Sequence, residues 1–311
     1  MKFEEILGNN LAKKTLLEQI KHNEIVHSYM FVGQNGIGKK IIAEEFARKI
    51  LCNSSEKTDS CEECESCIKF EGKNHPDFKI ISPDGNYIKI AQIRQMQEDV
   101  YKKPILSRKK IFIIDNADLM TEEAQNSLLK TLEEPPEYIV IILVLSNESL
   151  LLNTIKSRCM KINFFNLSEE LIKDYIHKNN LIDNPSKEIL KLFNGSIGKI
   201  YEIKENIDLY LQIEKLTKEI LNKEINSLID LIKKSELIYK SKDDINTILE
   251  YMTIIIYSKI NEKIENKEII NSNCSYFNLI EIIKNTMIKL KTNTNYDMCI
   301  DELIFKIYEN Y

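Results

Sequence analysis

The 311-residue chain balances 43 Lys and Arg against 48 Asp and Glu, a net charge of −5, with 43% hydrophobic and 29% charged residues. That composition describes an ordinary globular protein of two or three domains with enough chain to bury a core, and it rules out a bulk basic coat for nucleic acid. The acidic start Met1-Lys2-Phe3-Glu4-Glu5 does not read as a signal peptide. The longest aliphatic run, Ile139 to Leu145, falls far short of the ~20 residues that cross a bilayer, so a cytosolic protein is expected.

Over the first 163 residues strand and helix signals alternate, the pattern of a parallel α/β sheet. Ser28-Tyr29-Met30-Phe31-Val32 reads as a short buried strand. It runs into Gly33-Gln34-Asn35-Gly36-Ile37-Gly38-Lys39-Lys40, a G-x-x-x-x-G-K-[ST] phosphate-binding loop complete except at its last position. In such a loop backbone N–H groups converge on phosphate oxygens, the Lys reaches the β- and γ-phosphates, and the closing hydroxyl holds Mg²⁺. Lys40 replaces that hydroxyl with a group that repels a divalent cation. A helix over 41–51 follows, from the spacing of Ile42, Ala43, Phe46, Ala47 and Ile50.

Four of the seven cysteines come next, Cys52, Cys61, Cys64 and Cys67, in a C-x8-C-x2-C-x2-C spacing. In a reducing compartment that pattern speaks for metal rather than disulfides. Two C-x2-C steps put thiolates on tight turns, and a fourth from a preceding helix end completes a tetrahedron suited to structural Zn²⁺. The alternatives are a chance cluster of buried thiols, or an iron–sulfur cluster whose redox chemistry nothing else in the chain supports. His75, in Asn74-His75-Pro76-Asp77, is a further candidate ligand and reads better as a turn residue before a strand at Phe78–Ile81. Cys159, Cys274 and Cys299 stand alone and read as core thiols.

A helix is expected over 88–101, with Ile90, Ile93, Met96 and Val100 on its apolar face, and a buried strand over 110–115 that ends in Asp115. Asp115 stands where a P-loop ATPase places its metal-side acid; the competing reading is a strand-end acid satisfied by backbone. The next residue, Asn116, is an amide that cannot take a proton from water, so hydrolysis should fail there too. Thr121 opens a helix that Pro135-Pro136 stops. Tyr138 to Leu145 is read as the last strand, with polar Ser146-Asn147 at its end. Beyond Leu167 only helical signals remain. Leu221, Ile225, Leu228, Ile229 and Ile232 are assigned to one apolar face, and Ile245, Ile248, Leu249, Met252 and Ile255 to another, as helical-bundle core.

The loop Gly33–Lys40, the four cysteines, Asn126-Ser127-Leu128-Leu129-Lys130-Thr131-Leu132-Glu133-Glu134-Pro135-Pro136 and Ser157-Arg158-Cys159 together resemble the clamp-loader branch of the AAA+ family. The zinc insert within the P-loop domain is a narrow marker of its bacterial members. The resemblance covers residues 1 to about 200, and beyond that it rests on helical character and length. It implies an α/β AAA+ P-loop domain over 1–163 with a zinc-binding module at about 52–67. A small helical lid over 164–204 and an all-α C-terminal collar for oligomerisation over 205–311 would follow.

The resemblance also implies roles. Arg158 would be an arginine finger acting in trans on a neighbouring subunit's ATP. Motor subunits of the family carry a γ-phosphate Arg in a Gly-Ser-x-Arg motif. Here Gly195-Ser196-Ile197-Gly198-Lys199 puts Gly198 at that position. Lys40, Asn116 and Gly198 depart together, as expected of the family's stationary, hydrolytically inactive member. Its degenerate nucleotide site would comprise Gly33, Gly36, Gly38, Lys39, Lys40, Asp115, Asn116, Asn147 and Gly198, binding ATP and Mg²⁺ weakly or not at all. Implied partners are gamma/tau-type motor subunits and a delta subunit in a hetero-pentamer, and through it a sliding clamp and primed DNA. The chain would belong to a DNA-directed DNA polymerase assembly with little ATPase of its own. One alternative is an active loader ATPase. Another is a zinc-dependent nucleic-acid module, but Glu62-Glu63-Cys64-Glu65-Ser66 would repel phosphate and Lys69, Lys73 and Lys79 are scattered.

Overall fold

The computed structural model describes residues 3, 5–54, 61–266, 275–292 and 294–310; Cys274 lies outside them. In chain order the elements are α1 (Asn10–His22), β1 (Ser28–Val32), α2 (Lys39–Leu51), α3 (Glu65–Glu71), β2 (Phe78–Ile81), α4 (Ile90–Val100) and β3 (Lys110–Asp115). Then come α5 (Glu122–Glu133), β4 (Ile139–Leu145), α6 (Asn153–Lys156), β5 (Met160–Asn163), α7 (Glu169–Lys178), α8 (Lys187–Phe193) and α9 (Ile197–Glu205). The helices α10 (Ile207–Leu221), α11 (Leu228–Lys234), α12 (Glu236–Lys240), α13 (Ile245–Glu265), α14 (Ser275–Leu290) and α15 (Tyr296–Glu309) complete the described chain. It divides into two compact units, Met1–Ile172 with Gly195–Gly198, and Lys173–Asn194 with Lys199–Tyr311.

The first unit is built on a five-stranded sheet ordered β2-β3-β4-β1-β5, every pairing parallel. A parallel sheet is covered on both faces, so its central strands are apolar throughout. All seven residues of β4 are buried. Strand alternation then deals each strand's side chains into two cores. Phe31, Ile113 and Val140 pack with Leu16 and Phe46 on one face, and Met30, Phe112 and Ile141 with Met96 and Leu128 on the other. The chain leaves β1 for the far edge of the sheet and works back, so β1 is the point where strand order reverses. Crevices for ligands open beyond strand C-termini at such a point.

Local chemistry sets the helix ends. The Thr121 hydroxyl accepts from the Ala124 N–H at the start of α5. Pro135 keeps Glu134 out of helical geometry, at φ −126° and ψ 63°. The expected strands at 28–32, 78–81 and 110–115 form with those bounds. One strand was missed. Met160–Asn163, here β5, pairs with β1 (Tyr29 opposite Met160), so Tyr138–Leu145 is not the last strand. It is a four-residue, half-exposed edge strand, too short and too polar to stand out from a loop.

In the second unit the apolar face of α13 is as expected, with Ile245, Ile248, Leu249, Met252 and Ile255 all buried. Tyr251 on α13 meets Tyr210 on α10 edge-on at 6.0 Å. Glu214 lies beneath them, accepting hydrogen bonds from Tyr251, from Ser186 (2.9 Å) and from Lys218 (2.6 Å). The face assigned to Leu221, Ile225, Leu228, Ile229 and Ile232 does not exist. The helix α10 stops at Leu221, Lys223 takes a left-handed φ of 60°, and Ser227 caps a new helix, which resets the phase. Leu231 is buried instead, and Ile229 and Ile232 are exposed.

Candidate nucleotide site, cysteine cluster and arginine

Gly33 follows β1, and its N–H donates to the Leu145 carbonyl at the end of β4 (3.3 Å). Gly36 and Gly38 adopt φ of 74° and 93°, conformations that side chains resist, and these turns set Lys39 at the first residue of α2. The Lys39 ammonium is buried and donates to the Gly33 and Gln34 carbonyls at 2.5 and 2.7 Å. Burial pulls its pKa down to about 8, against the opposing pull of Asp118 and Asp115. Lys40 points to the strand-end acid, its Nζ 2.9 Å from Asp115 Oδ2. An internal cation therefore faces the carboxylate that a P-loop ATPase turns toward its metal. Asn116 sits at φ 52° and precedes the 3₁₀ turn Ala117–Leu119, so an amide and not a carboxylate follows the strand-end acid.

Asp118, three residues beyond the strand-end Asp115, ties that turn to the end of β4. Its Oδ2 accepts from the Ser146 N–H (3.1 Å), the Ser146 hydroxyl (2.7 Å) and the Asn147 N–H (2.9 Å). Asn147 Oδ1 in turn accepts from the Ser149 N–H and hydroxyl at 3.0 and 2.6 Å. Three acidic or amide residues after an apolar strand were visible in the sequence, but the three converging donors were not.

Gly198 lies directly on the loop. Its N–H donates to the Gly36 carbonyl (3.0 Å) and the Ser196 hydroxyl donates to the Asn35 carbonyl (3.0 Å). A Cβ at Gly198 would come 2.8 Å from the Gly36 Cα, and one at Gly36 would come 2.3 Å from Ser196 Oγ. The residues expected of a degenerate nucleotide site are thus brought together, with the Gly36 and Gly198 backbones in direct contact.

The thiols of Cys52, Cys61, Cys64 and Cys67 all lie within 4.8 Å of one another. The Cys52–Cys61, Cys52–Cys64 and Cys61–Cys67 sulfur separations are 3.6, 4.0 and 4.0 Å. A tetrahedron with metal–sulfur bonds of about 2.3 Å has edges of about 3.8 Å, so the cluster fits an ion such as zinc. Backbone N–H groups of Ser54, Cys64 and Cys67 donate to Cys52, Cys61 and Cys64 sulfurs at 3.5, 3.3 and 3.4 Å, which favours thiolates. Burial would raise the Cys64 thiol, but the Cys67 and Asn53 amides and the neighbouring thiols bring it down to about 6. Cys64 caps α3 and Cys67 lies in its first turn, a helix the spacing did not announce. His75 is not a ligand. Its Nδ1 accepts from the Asp77 N–H (3.1 Å), which leaves the proton on Nε2, 2.9 Å from the Ser66 hydroxyl. Burial lowers its pKa and keeps it neutral.

Arg158 is far from the loop of its own chain. The Ser28 hydroxyl at the start of β1 donates to the Arg158 carbonyl (2.6 Å), whereas the loop follows the other end of β1, about 15 Å along the strand. The guanidinium is a third exposed. Its Nη2 lies 2.8 Å from Glu133 Oε1 and its Nη1 donates to the Thr154 carbonyl (2.9 Å). With His27, Ser28, Lys109, Pro135 and Pro136 it lines an open groove of about 570 Å³. Its neighbour Cys159 is half-buried, and burial pushes that thiol up to about 11. Among the described residues no helix is long and apolar enough to cross a membrane.

The chain is similar to subunits of DNA polymerase III. It is 35% identical to "DNA polymerase III subunit delta'" of Bacillus subtilis over 193 residues, 62% of this chain and 58% of that one. It is 31% identical to "DNA polymerase III subunit tau/gamma" of Haemophilus influenzae over 203 residues, 64% of this chain and 29% of that one. The chain thus matches less than two thirds of the length of either relative. The fold is shared with a DNA polymerase III gamma subunit-related protein of Thermotoga maritima, at a TM-score of 0.51 and 18% identity over 95% of this chain and 99% of that one. Residues 8–168, more than half of the chain and the whole of the sheet, match the model of the family described as "DNA polymerase III, delta subunit", and the chain belongs to that family.

Proposed function

We propose that this chain is the delta-prime subunit of a DNA polymerase III clamp loader, a stator with little ATPase of its own that supplies Arg158 to a neighbouring motor subunit. The observation that carries the reading is the placement of Arg158 at the opposite end of β1 from the chain's own loop. A guanidinium there has no part in its own nucleotide site but is free to meet phosphate oxygens across an interface. It is planar, permanently charged and fit for bidentate contact with such oxygens. The loop supports the same reading. The Lys40 ammonium neutralises Asp115, so that acid has no charge to spare for Mg²⁺. Asn116 cannot orient a water as a carboxylate does, and Gly198 brings no cation to a γ-phosphate.

Under this reading the lid over 164–204 and the collar over 205–311 join the chain to gamma/tau-type motors and a delta subunit in a hetero-pentamer that opens a sliding clamp on primed DNA. Cys52, Cys61, Cys64 and Cys67 would hold a structural Zn²⁺ with no open coordination position. The ion would cross-link the end of α2 to α3.

Two measurements test the proposal. The isolated chain should hydrolyse ATP no faster than its Lys39→Ala variant. Turnover at ordinary motor rates, abolished by that substitution, would mean an active loader ATPase. In a complex reconstituted with gamma/tau-type and delta-type subunits, Arg158→Ala should leave assembly and zinc content intact and lower ATP turnover and clamp loading. Arginine fingers are worth on the order of 10³–10⁵ in rate in single-site GTPases, and less is expected where several sites share the work. A mutant complex that works at the wild-type rate would reduce Arg158 to a surface residue.

A further inference from the structure

The motif Asn126–Pro136 has so far no role beyond ending a helix, yet among the described residues its Glu133 carboxylate pairs with Arg158. We propose that Glu133 is a positioning residue for Arg158, holding the guanidinium in the orientation in which it meets a phosphate of the neighbouring subunit; the inference rests on the reading of Arg158 as a finger acting in trans.

Three features support it. First, Glu133 is the last residue of α5, where unsatisfied carbonyls make a carboxylate unfavourable and a cation favourable. A carboxylate at this end finds compensation in a guanidinium 2.8 Å away. Second, the backbone fixes the point from which the Glu133 side chain starts. Pro135-Pro136 end the helix, and the Glu134 N–H closes its last turn on the Lys130 carbonyl (3.2 Å). Third, the guanidinium is gripped from two sides. Nη2 goes to Glu133 and Nη1 to the Thr154 carbonyl, the latter from the turn that leads to Arg158 itself. Two anchors fix the plane of a group that otherwise rotates about four side-chain bonds. A guanidinium has five N–H donors, so others remain for an external acceptor on the exposed side.

The pair is ill suited to a purely structural role. Glu133 is half exposed and Arg158 a third exposed, and ion pairs so placed add little to folding. Loss of Glu133 should therefore leave the fold intact and release the finger. An unanchored arginine spends less time in the productive orientation. That lowers turnover without weakening nucleotide binding, because the contact matters in the transition state.

The experiment is steady-state ATP hydrolysis by the reconstituted complex carrying Glu133→Ala, Glu133→Gln or Arg158→Ala, with melting of each variant chain and the mass of each complex as controls. Glu133→Ala should lower kcat about fivefold, the most that an exposed pair can contribute to a rate, with KM for ATP unchanged. Glu133→Gln keeps an acceptor and should recover part of that loss, and it gives the reading if the Ala variant fails to assemble. A slow Arg158→Ala complex beside Glu133 variants at or above the wild-type kcat would overturn the positioning role and leave the finger in place. A raised KM at unchanged kcat would overturn it as well. If Arg158→Ala itself turns over normally, the trans finger fails and the role of Glu133 fails with it.

Discussion

Replacing Gly198 by Ala tests the account of the loop directly. The new Cβ would sit 2.8 Å from the Gly36 Cα, a separation that side chains essentially never show, and the atom it meets is backbone that cannot swing aside. Gly36 itself is pinned. It holds φ 74°, its carbonyl accepts from the Gly198 N–H at 3.0 Å, and Asn35 is tied to Ser196. Inserting a methyl group into such a contact costs about 1–3 kcal/mol. Exchanging Gly for Ala within a helix returns up to about 1 kcal/mol, and less in a first turn, so a net loss of about 1–2 kcal/mol is expected. For a unit of this size that is a fall of roughly 2–8 °C in Tm. Urea or thermal unfolding of the purified chain measures it. Gly85→Ala is the control: a Cβ there meets nothing within 4 Å, so its cost is that of the left-handed φ alone. A Gly198→Ala chain that melts with the wild type would show that the two backbones are not packed together. Gly198→Arg then becomes informative as well. If the close approach holds, the larger arginine side chain should destabilise the chain rather than create a working nucleotide site.

Three further outcomes follow from other parts of the first unit. Purified protein should carry about one zinc ion per chain, and Cys67→Ser should lose it and lower the melting temperature while far-UV helicity is largely kept; protein free of zinc, or holding iron, would end that assignment. Lys39, with a pKa of about 8 against an ordinary 10.5, binds fewer protons folded than unfolded between those values, so its contribution to stability rises with pH across that window. Below about pH 8 the buried charge costs the fold about 3 kcal/mol, of which roughly 2 kcal/mol is relieved by pH 9.5, so the stability of wild type relative to Lys39→Met should improve between pH 7 and 9.5, and urea curves that shift in parallel would refute it. Asp77 is fully buried and accepts from the Ile105, Leu106 and Ser107 N–H groups at 2.7, 2.7 and 2.8 Å. Asp77→Ala leaves those donors unmet and should cost about 2–4 kcal/mol in equilibrium unfolding, against an exposed-loop cost near zero if the loop is tied down elsewhere.

Much of this protein was legible in its residue order because the signals were local. The apolar runs 28–32, 110–114 and 138–145 announced buried parallel strands, since a strand covered on both faces carries no polar alternation. The glycines of Gly33–Lys39 announced a phosphate loop because only glycine takes its left-handed turns without strain. The cysteine spacing announced a metal-sized cluster, consistent with sulfur separations of 3.6 to 4.0 Å in the structure. Lys40 and Asn116 could be read from their side-chain chemistry as departures from a hydrolytic site, whereas Gly198 could be read so only through the resemblance to the clamp-loader family. Tertiary structure decided what those residues do instead. That Lys40 pairs with Asp115, that Gly198 rests on Gly36, and that Arg158 leans on Glu133 are contacts across 75, 162 and 25 positions of chain. Spacing along the sequence carries no record of such distances. The same limit hid β5, whose four residues are a strand only because β1 offers them an edge. It also broke the expected apolar face at Ile229 and Ile232, where a left-handed residue at Lys223 resets the helical phase. Local sequence dictates which conformations are cheap; which distant groups meet depends on how the sheet and helices close over their cores.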